Sequence, residues 1–448
     1  MTKTIYVGCG AGFANDRPDA ARSLALDLAT RQGPRYLMFE LLAERTLAET
    51  QMRRLADADT GYALRLFDFL DPVLDLCLDA GIPIITNGGA ANPRAAARRL
   101  RKQLASGRHS TAKIACVLGD DLLEQGQTQW APQPSDGRET VSINVYVGAD
   151  GIVDALNEGA DIVLCGRVSD PSLAVGAIRH GLGWAADDWD KMAIATATGH
   201  LLECCTQVTG GYFAHPGRKD VPNPANPGCP IAEISADGSV VIGKTEESGG
   251  CVTVRTVREQ LLYEVHDPAA YLTPDVIMDL SAVTAQAVGP DRVAISGVRG
   301  HPRPDTLKGL VGLRGLWFGE GEISYAGPGA LARAQLARDI LRERFAQLAP
   351  DVSPWIDLSG VASVFNDHQG QYLDRQLSSA IALDDVRVRV GLLHADRDLI
   401  NILLQDLESL YTNGPAGGGG VRRHISEALG TQDFRLPREA VPTTVEWF

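Results

Sequence analysis

Short apolar runs alternate with amphipathic stretches from residue 4 to about residue 210, and this alternation constrains the fold more than any other feature of the chain. The runs 4–7, 36–39, 82–86, 113–118, 142–147 and 162–165 have strand length. The stretches 43–56, 62–80, 150–158, 191–205 and one opening at Pro93 have helix length. Strands that alternate with helices build a parallel sheet covered on both faces. The predicted fold class is therefore α/β, with an N-terminal doubly wound, mostly parallel sheet. Past a loop at 220–230 rich in Pro, Asn and Gly, the alternation stops. Strands are predicted at 231–242, 251–254, 294–297, 309–316, 322–326 and 386–392, and helices at 257–265, 330–348 and 397–411. That half reads as an α+β domain. A chain of 448 residues exceeds what one core usually supports. The expected division is an α/β ligand-binding domain at 1–220 and an α+β domain at 221–448 completing the cleft.

Bulk properties narrow the function classes. Apolar content of 44% and charged content of 22% are ordinary for a soluble globular protein. A net charge of −14 argues against nucleic acid and against an anionic membrane surface. No apolar run approaches the ~20 residues needed to cross a bilayer. The N-terminus runs directly into a strand with no secretory signal, and eight scattered cysteines suit a reducing compartment, so a cytoplasmic location is expected.

Ligands of open α/β sheets bind beyond the carboxyl ends of the strands, and the polar residues of this chain gather at such places. The first strand opens into Gly8-Cys9-Gly10-Ala11-Gly12, followed by Asp16 and Arg17. Such a loop before a helix can offer N–H groups from Gly10 and Gly12 to an anion, or be a plain tight turn. The spacing G-x-G-x-G, with Asn15 where a third glycine would fall, is not a dinucleotide fingerprint, so NAD is not expected. Glu40 ends the second strand, either as a general acid or base or as a carboxylate complementing the next helix. Asn87 and Gly88 follow the third strand, and Asn92 is placed to cap a helix begun by Pro93. Asp120 and Asp121 follow the fourth, where they suit a divalent metal or a helix cap.

After the sixth strand come Gly166, Arg167, Ser169 and Asp170. A guanidinium there can anchor a carboxylate or phosphate, or form a structural ion pair, and Asp170 can cap the helix beginning at Pro171. His200 and Glu203, three apart on one helical face with Cys204 beside them, can move protons, activate a thiol or hold zinc; the alternative is a satisfied core histidine. Thr209 and Gly210 belong to a second candidate anion nest.

Seven stretches together resemble the acyclic terpene utilisation A (AtuA) family: GCGAGFANDR at 8–17, TNGG at 86–89, GRVSD at 166–170, GHLLE at 199–203, QVTGGYF at 207–213, QLLYEVHDP at 260–268 and NGPAGGGG at 413–420. The resemblance implies catabolism of acyclic terpenes or branched acids, in which acids are handled as CoA thioesters. It implies an enzyme of lyase or hydratase type acting on a small carboxylic acid or its CoA thioester. Glu40, Asp170, His200 and Glu203 are then the catalytic candidates. Gly10, Gly12, Arg17, Asn87, Gly88, Arg167, Ser169, Thr209 and Gly210 are the substrate-binding ones. A divalent metal stays open as cofactor, and a homo-oligomer is expected. Longer members carry an added C-terminal ferredoxin-like domain, which this chain, ending at Phe448, is expected to lack. The alternative is thus a scaffold or binding subunit working with a small ferredoxin-like partner chain.

Overall fold

The computed structural model describes residues 3–378 and 383–448. The chain opens as β1 (Thr4–Cys9), α1 (Ala20–Thr30), β2 (Arg35–Phe39), α2 (Glu44–Ala56), α3 (Leu66–Leu70), α4 (Leu74–Ala80), β3 (Ile84–Thr86), α5 (Pro93–Leu104) and β4 (Ile114–Leu118). The helix expected across 62–80 is two helices. Pro72 has no N–H to continue the ladder, so the chain turns there before α4 runs on to Gly81, a left-handed cap at φ 62°. Helix α5 starts as anticipated, with Asn92 Oδ1 accepting from Ala95 N at 3.1 Å and Pro93 in the first turn.

The chain continues as β5 (Glu139–Val145), α6 (Asp150–Asn157), β6 (Ile162–Cys165), α7 (Ser172–Leu182), α8 (Trp189–Glu203), β7 (Pro230–Ser235), β8 (Val240–Lys244) and α9 (Val254–Leu262). The strand expected at 251–254 is instead irregular chain that leads into α9 at Val254. Thr253 and Thr256 cap it reciprocally, each side chain accepting from the other's N–H. Short strands follow: β9 (Tyr271–Leu272), β10 (Ile277–Asp279), β11 (Thr284–Gly289), β12 (Arg292–Ser296) and β13 (Arg299–His301).

Among the described residues the largest sheet has ten strands, in the order β11-β12-β8-β7-β1-β2-β3-β6-β4 with one later strand at the β4 edge. The central five, β1-β2-β3-β6-β4, are parallel. The flanking pairs are antiparallel, so the sheet is mixed around a parallel centre. Helices cover both faces. Gly8 of β1 lies against Leu24 and Leu28 of α1, whereas Ile5 lies against Gly181 of α7. Residues 5 and 8 point to opposite faces of a strand, so α1 and α7 are on opposite sides. β5, expected in this sheet, pairs elsewhere, and just beyond it the Tyr146 N–H bonds to Lys308 O at 2.9 Å.

The remainder is β14 (Thr306–Ala326), α10 (Ala330–Leu348), β15 (Trp355–Ser359), α11 (Gln371–Leu377), β16 (Asp385–His394), α12 (Arg397–Asn413), β17 (Gly419–Pro437) and β18 (Thr444–Trp447), the last pairing with β4. β14 runs continuously where two strands were expected. The intervening Gly315, at φ 120°, interrupts the apolar pattern but not the strand. Two compact units result: residues 1–133, 141–312 and 431–448, and residues 134–140 and 313–430. They are drawn differently from a division at residue 220, because β7, β8, β11 and β12 extend the first sheet. The second unit packs α10 and α12 on β14 and β16, its core built from Ile323, Tyr325, Leu341, Phe345, Val388, Val390, Leu403 and Leu407.

Candidate active site

Register brings the first group of residues together. Phe39 pairs with Thr86 and Thr86 with Leu164, so β2, β3 and β6 end at one level on neighbouring strands. The next residues are Glu40, Asn87 and the loop from Gly166 to Asp170. Glu40 Oε1 accepts from Leu42 N at 2.8 Å and from Asn87 Nδ2 at 2.9 Å. The Asn87 Oδ1 in turn accepts from Leu41 N at 2.7 Å. Asn87 thus clamps the carboxylate and its own turn together. Glu40 is 7% exposed. Burial, reinforced by the charge of Asp170, pushes its pKa up to about 8, against the opposing pull of Arg167 and Asn87.

Arg167 is 1% exposed. Its Nη1 donates to Leu42 O at 2.6 Å, Nε donates to Val168 O at 3.0 Å, and Nη2 pairs with Asp170. The guanidinium lies 4.4 Å from the centre of the Tyr146 ring. It therefore holds Asp170 and two loop carbonyls rather than facing an incoming acid. Asp170 gives no side-chain cap to α7, contrary to expectation. Its side chain is 37% accessible, yet burial still raises its pKa against the charge of Arg167. Asp170 is thus a carboxyl both reachable and crowded. Tyr146 donates to Glu44 at 3.0 Å, and Lys308 reaches the same oxygen at 2.7 Å.

Beneath this group lies Asp120, at the end of β4. It accepts from Arg167 N at 2.8 Å and from Asn144 Nδ2 at 3.0 Å, and burial pushes its pKa up to about 7. Gly166 is required here, since a Cβ would lie 2.6 Å from an Asp120 carboxylate oxygen. Asp121 points away, accepting from Glu124 N and pairing with Arg54, so the two acids do not converge on one ion. Among the described residues no three His, Cys, Asp or Glu side chains are grouped to hold a metal.

The second group comes from the end of α8. This helix is apolar nearly all round and buried for most of its length. It passes close to Pro171 because residue 199 is glycine; a Cβ there would lie 2.8 Å from Pro171 Cα. His200 Nδ1 and Glu203 Oε1 are 2.8 Å apart. His200 Nε2 and Glu203 Oε2 are buried without a partner. Burial pushes Glu203 up to about 7, opposed by His200 and reinforced by Asp170 and Glu264. Burial disfavours the imidazolium of His200, but Glu203 carries its pKa above the ordinary value. The electrostatic reach of Asp170 to both Glu40 and Glu203 links the two groups. Cys204 is not an activated thiol, because burial and the charge of Glu203 raise its pKa.

The glycine loop serves packing. Gly10 N donates to Met38 O at 2.9 Å and Gly12 N to Asp16 at 3.0 Å, so the chain's own acceptors fill the expected anion nest. Gly12 admits α8, for a Cβ would lie 2.7 Å from Cys204 O. Gly88 N likewise bonds to Thr86 Oγ1 at 2.9 Å. Arg17 is exposed and donates to Ala225 O. Ser169 is buried, with its N–H on Val147 O at 2.9 Å. Thr209 and Gly210 lie apart from Glu40 and Asn87 in their contacts. The Thr209 hydroxyl donates to Gly228 O at 2.6 Å, and Gly210 N to Gln207 O at 3.1 Å.

Sequence reasoning missed Asn144, Tyr146, Lys308 and Tyr271. Tyr271 lies 5.6 Å from the His200 ring, centre to centre. No motif marks these residues, since each reaches the site from an element distant in sequence.

No curated protein matches the chain. A solved structure, "De novo designed protein Foldit4", is 12% identical, covers 25% of this chain and 96% of its own, and has a TM-score of 0.18, which carries no argument. The model of the family "Acyclic terpene utilisation family protein AtuA" matches residues 5–447. The chain belongs to that AtuA family.

Proposed function

We propose that this protein is an acid–base enzyme of lyase or hydratase type in the breakdown of acyclic terpenes or branched acids, acting on a small carboxylic acid or its CoA thioester. One observation carries the reading. Glu40, a buried carboxyl whose pKa burial pushes up to about 8, interacts with Asp170, a more reachable carboxyl paired directly with the Arg167 guanidinium. Two neighbouring carboxyls in such different surroundings, one enclosed and one reachable on a guanidinium, can divide the acid and base roles that addition or elimination next to a carbonyl requires. Asp170 takes a proton from water as its oxygen adds to the substrate, and Glu40 delivers a proton to the neighbouring carbon; elimination runs the reverse. Asn87 aims Glu40, and Arg167 aims Asp170. His200 and Glu203 form a second proton-sharing pair behind them.

The test incubates the full chain in D2O with a panel of branched acyl-CoAs and the matching acids, and reads substrate mass. Deuterium incorporation or water addition is expected with at least one compound, and loss of either in Glu40→Gln. Exchange that persists undiminished in Glu40→Gln overturns the assignment.

A further inference from the structure

The acid–base site leaves unexplained an open groove of about 330 Å³ between the loop at 207–213 and α9. Its walls are Gln207, Tyr212, Phe213, Gln260, Leu262 and Tyr263. Tyr212 is 87% exposed and Leu262 60% exposed, an apolar surface left to water. Tyr212 also holds φ at 59°, a left-handed conformation disfavoured for an aromatic residue, and Glu264, next to the wall residue Tyr263, holds 58°.

One wall residue of the groove touches the second acid–base group. Gln260 Nε2 donates to His200 O at 3.1 Å, and the charge of Glu264 reaches both His200 and Glu203. Half-buried Cys204, packed on Gly12, lies between the groove wall and the glycine loop.

The rim of the groove gathers three cations around one acid, Glu259, in a chain of net charge −14. Lys219 Nζ lies 4.9 Å and the Arg255 guanidinium 5.6 Å from the centre of the Phe213 ring, and Lys219 is paired with Glu259 of the groove wall. Arg255 is anchored on Arg218 O, and Arg258 lines the groove itself. Among the described residues Arg255 and Arg258 form no ion pair with a carboxylate. Inside the site the balance is reversed, for Arg167 and Lys308 are already paired with the chain's own carboxylates. Among the described residues a bare carboxylate therefore finds the cations beside Glu40 already paired. An amphiphile with an apolar arm and a phosphate head finds both halves of its complement in the groove.

We infer that this groove binds the substrate as an acyl or alkyl chain carried on a phosphorylated head, with the arm against Tyr212, Leu262 and Tyr263 and the phosphates on Arg255 and Arg258. The inference rests on the acid–base site of the preceding section and names the substrate class that site takes. A CoA thioester and an alkyl diphosphate share this chemistry.

Titration calorimetry on the full chain tests it with four probes of one branched medium-length chain: the acyl-CoA, the N-acetylcysteamine thioester without phosphates, the free acid and the alkyl diphosphate. At least one phosphorylated probe should bind about tenfold or more tightly than the thioester without phosphates, and which of the two does so identifies the head. The gap should close in Arg255→Glu with Arg258→Glu, and at high salt. Tyr212→Ala with Leu262→Ala should weaken the phosphorylated probe about tenfold without changing Tm, because both side chains are exposed. Equal binding of the free acid, binding indifferent to these variants, or no binding by any probe overturns the inference. Glu40→Gln should bind the same probe undiminished. Unchanged turnover in that variant, with these binding results intact, would sink the acid–base assignment alone.

Discussion

Replacing Glu40 by glutamine should make the protein progressively more stable than the wild type as pH rises. The glutamine keeps the acceptor used by Leu42 N and Asn87 Nδ2 and removes the ionisation. Burial raises the Glu40 pKa from the ordinary 4.5 to about 8. Between those values the folded protein holds a proton that the unfolded chain has released. Wild-type stability therefore falls across that window, and the full cost of the buried charge is reached above about pH 8. At about 1.4 kcal/mol per pH unit the upper bound is about 5 kcal/mol. Loop relaxation and the simultaneous relief of Asp170 reduce it, so a difference of about 2–5 kcal/mol is expected. Urea unfolding of both proteins near pH 5, 7 and 8.5 measures it. Other carboxyls that titrate in the same range, Asp120 and Glu203, largely cancel between the two proteins. Curves that run parallel across pH, or a gap that narrows as pH rises, would refute the reasoning.

Turnover should follow a bell. It rises as Asp170 ionises at a pH above the ordinary aspartate range and falls as Glu40 loses its proton near pH 8; a flat profile above pH 7 contradicts the assigned roles. Gly12→Ala places a Cβ against the backbone of Cys204, which cannot yield as a side chain tip would, so a loss of about 1–3 kcal/mol is expected in thermal melting. Arg167→Met should cost about 3 kcal/mol by stranding Leu42 O, Val168 O and Asp170, and Arg167→Lys should not restore it, because an ammonium cannot reach all three acceptors in one plane; chemical unfolding checks both.

What the sequence made legible was local. The cap at Asn92, the strand end at Glu40 and the left-handed stop at Gly81 each depend on residues a few positions apart, and each is where it was expected. What escaped it depends on partners far along the chain. No pattern within residues 139–145 distinguishes a strand of the central sheet from one that pairs with β14. The insertion of β6 between β3 and β4 sets Arg167 and Asp170 beside Glu40, and strand order is not written in periodicity. The glycine loop was misleading for a physical reason. Glycines that let backbone approach an anion equally let one helix end approach a loop, and here the approaching group is Cys204 at the end of α8 while Asp16 takes the N–H. Arg167 likewise looked like an anchor for substrate, whereas all but 1% of its surface is enclosed.

The most direct measurement compares kcat and Kd for wild type, Glu40→Gln and Asp170→Asn on the first compound found to be turned over. The account predicts that each substitution lowers kcat about 10²- to 10⁴-fold while Kd changes little. Wild-type kcat in Glu40→Gln would place the chemistry elsewhere in the molecule.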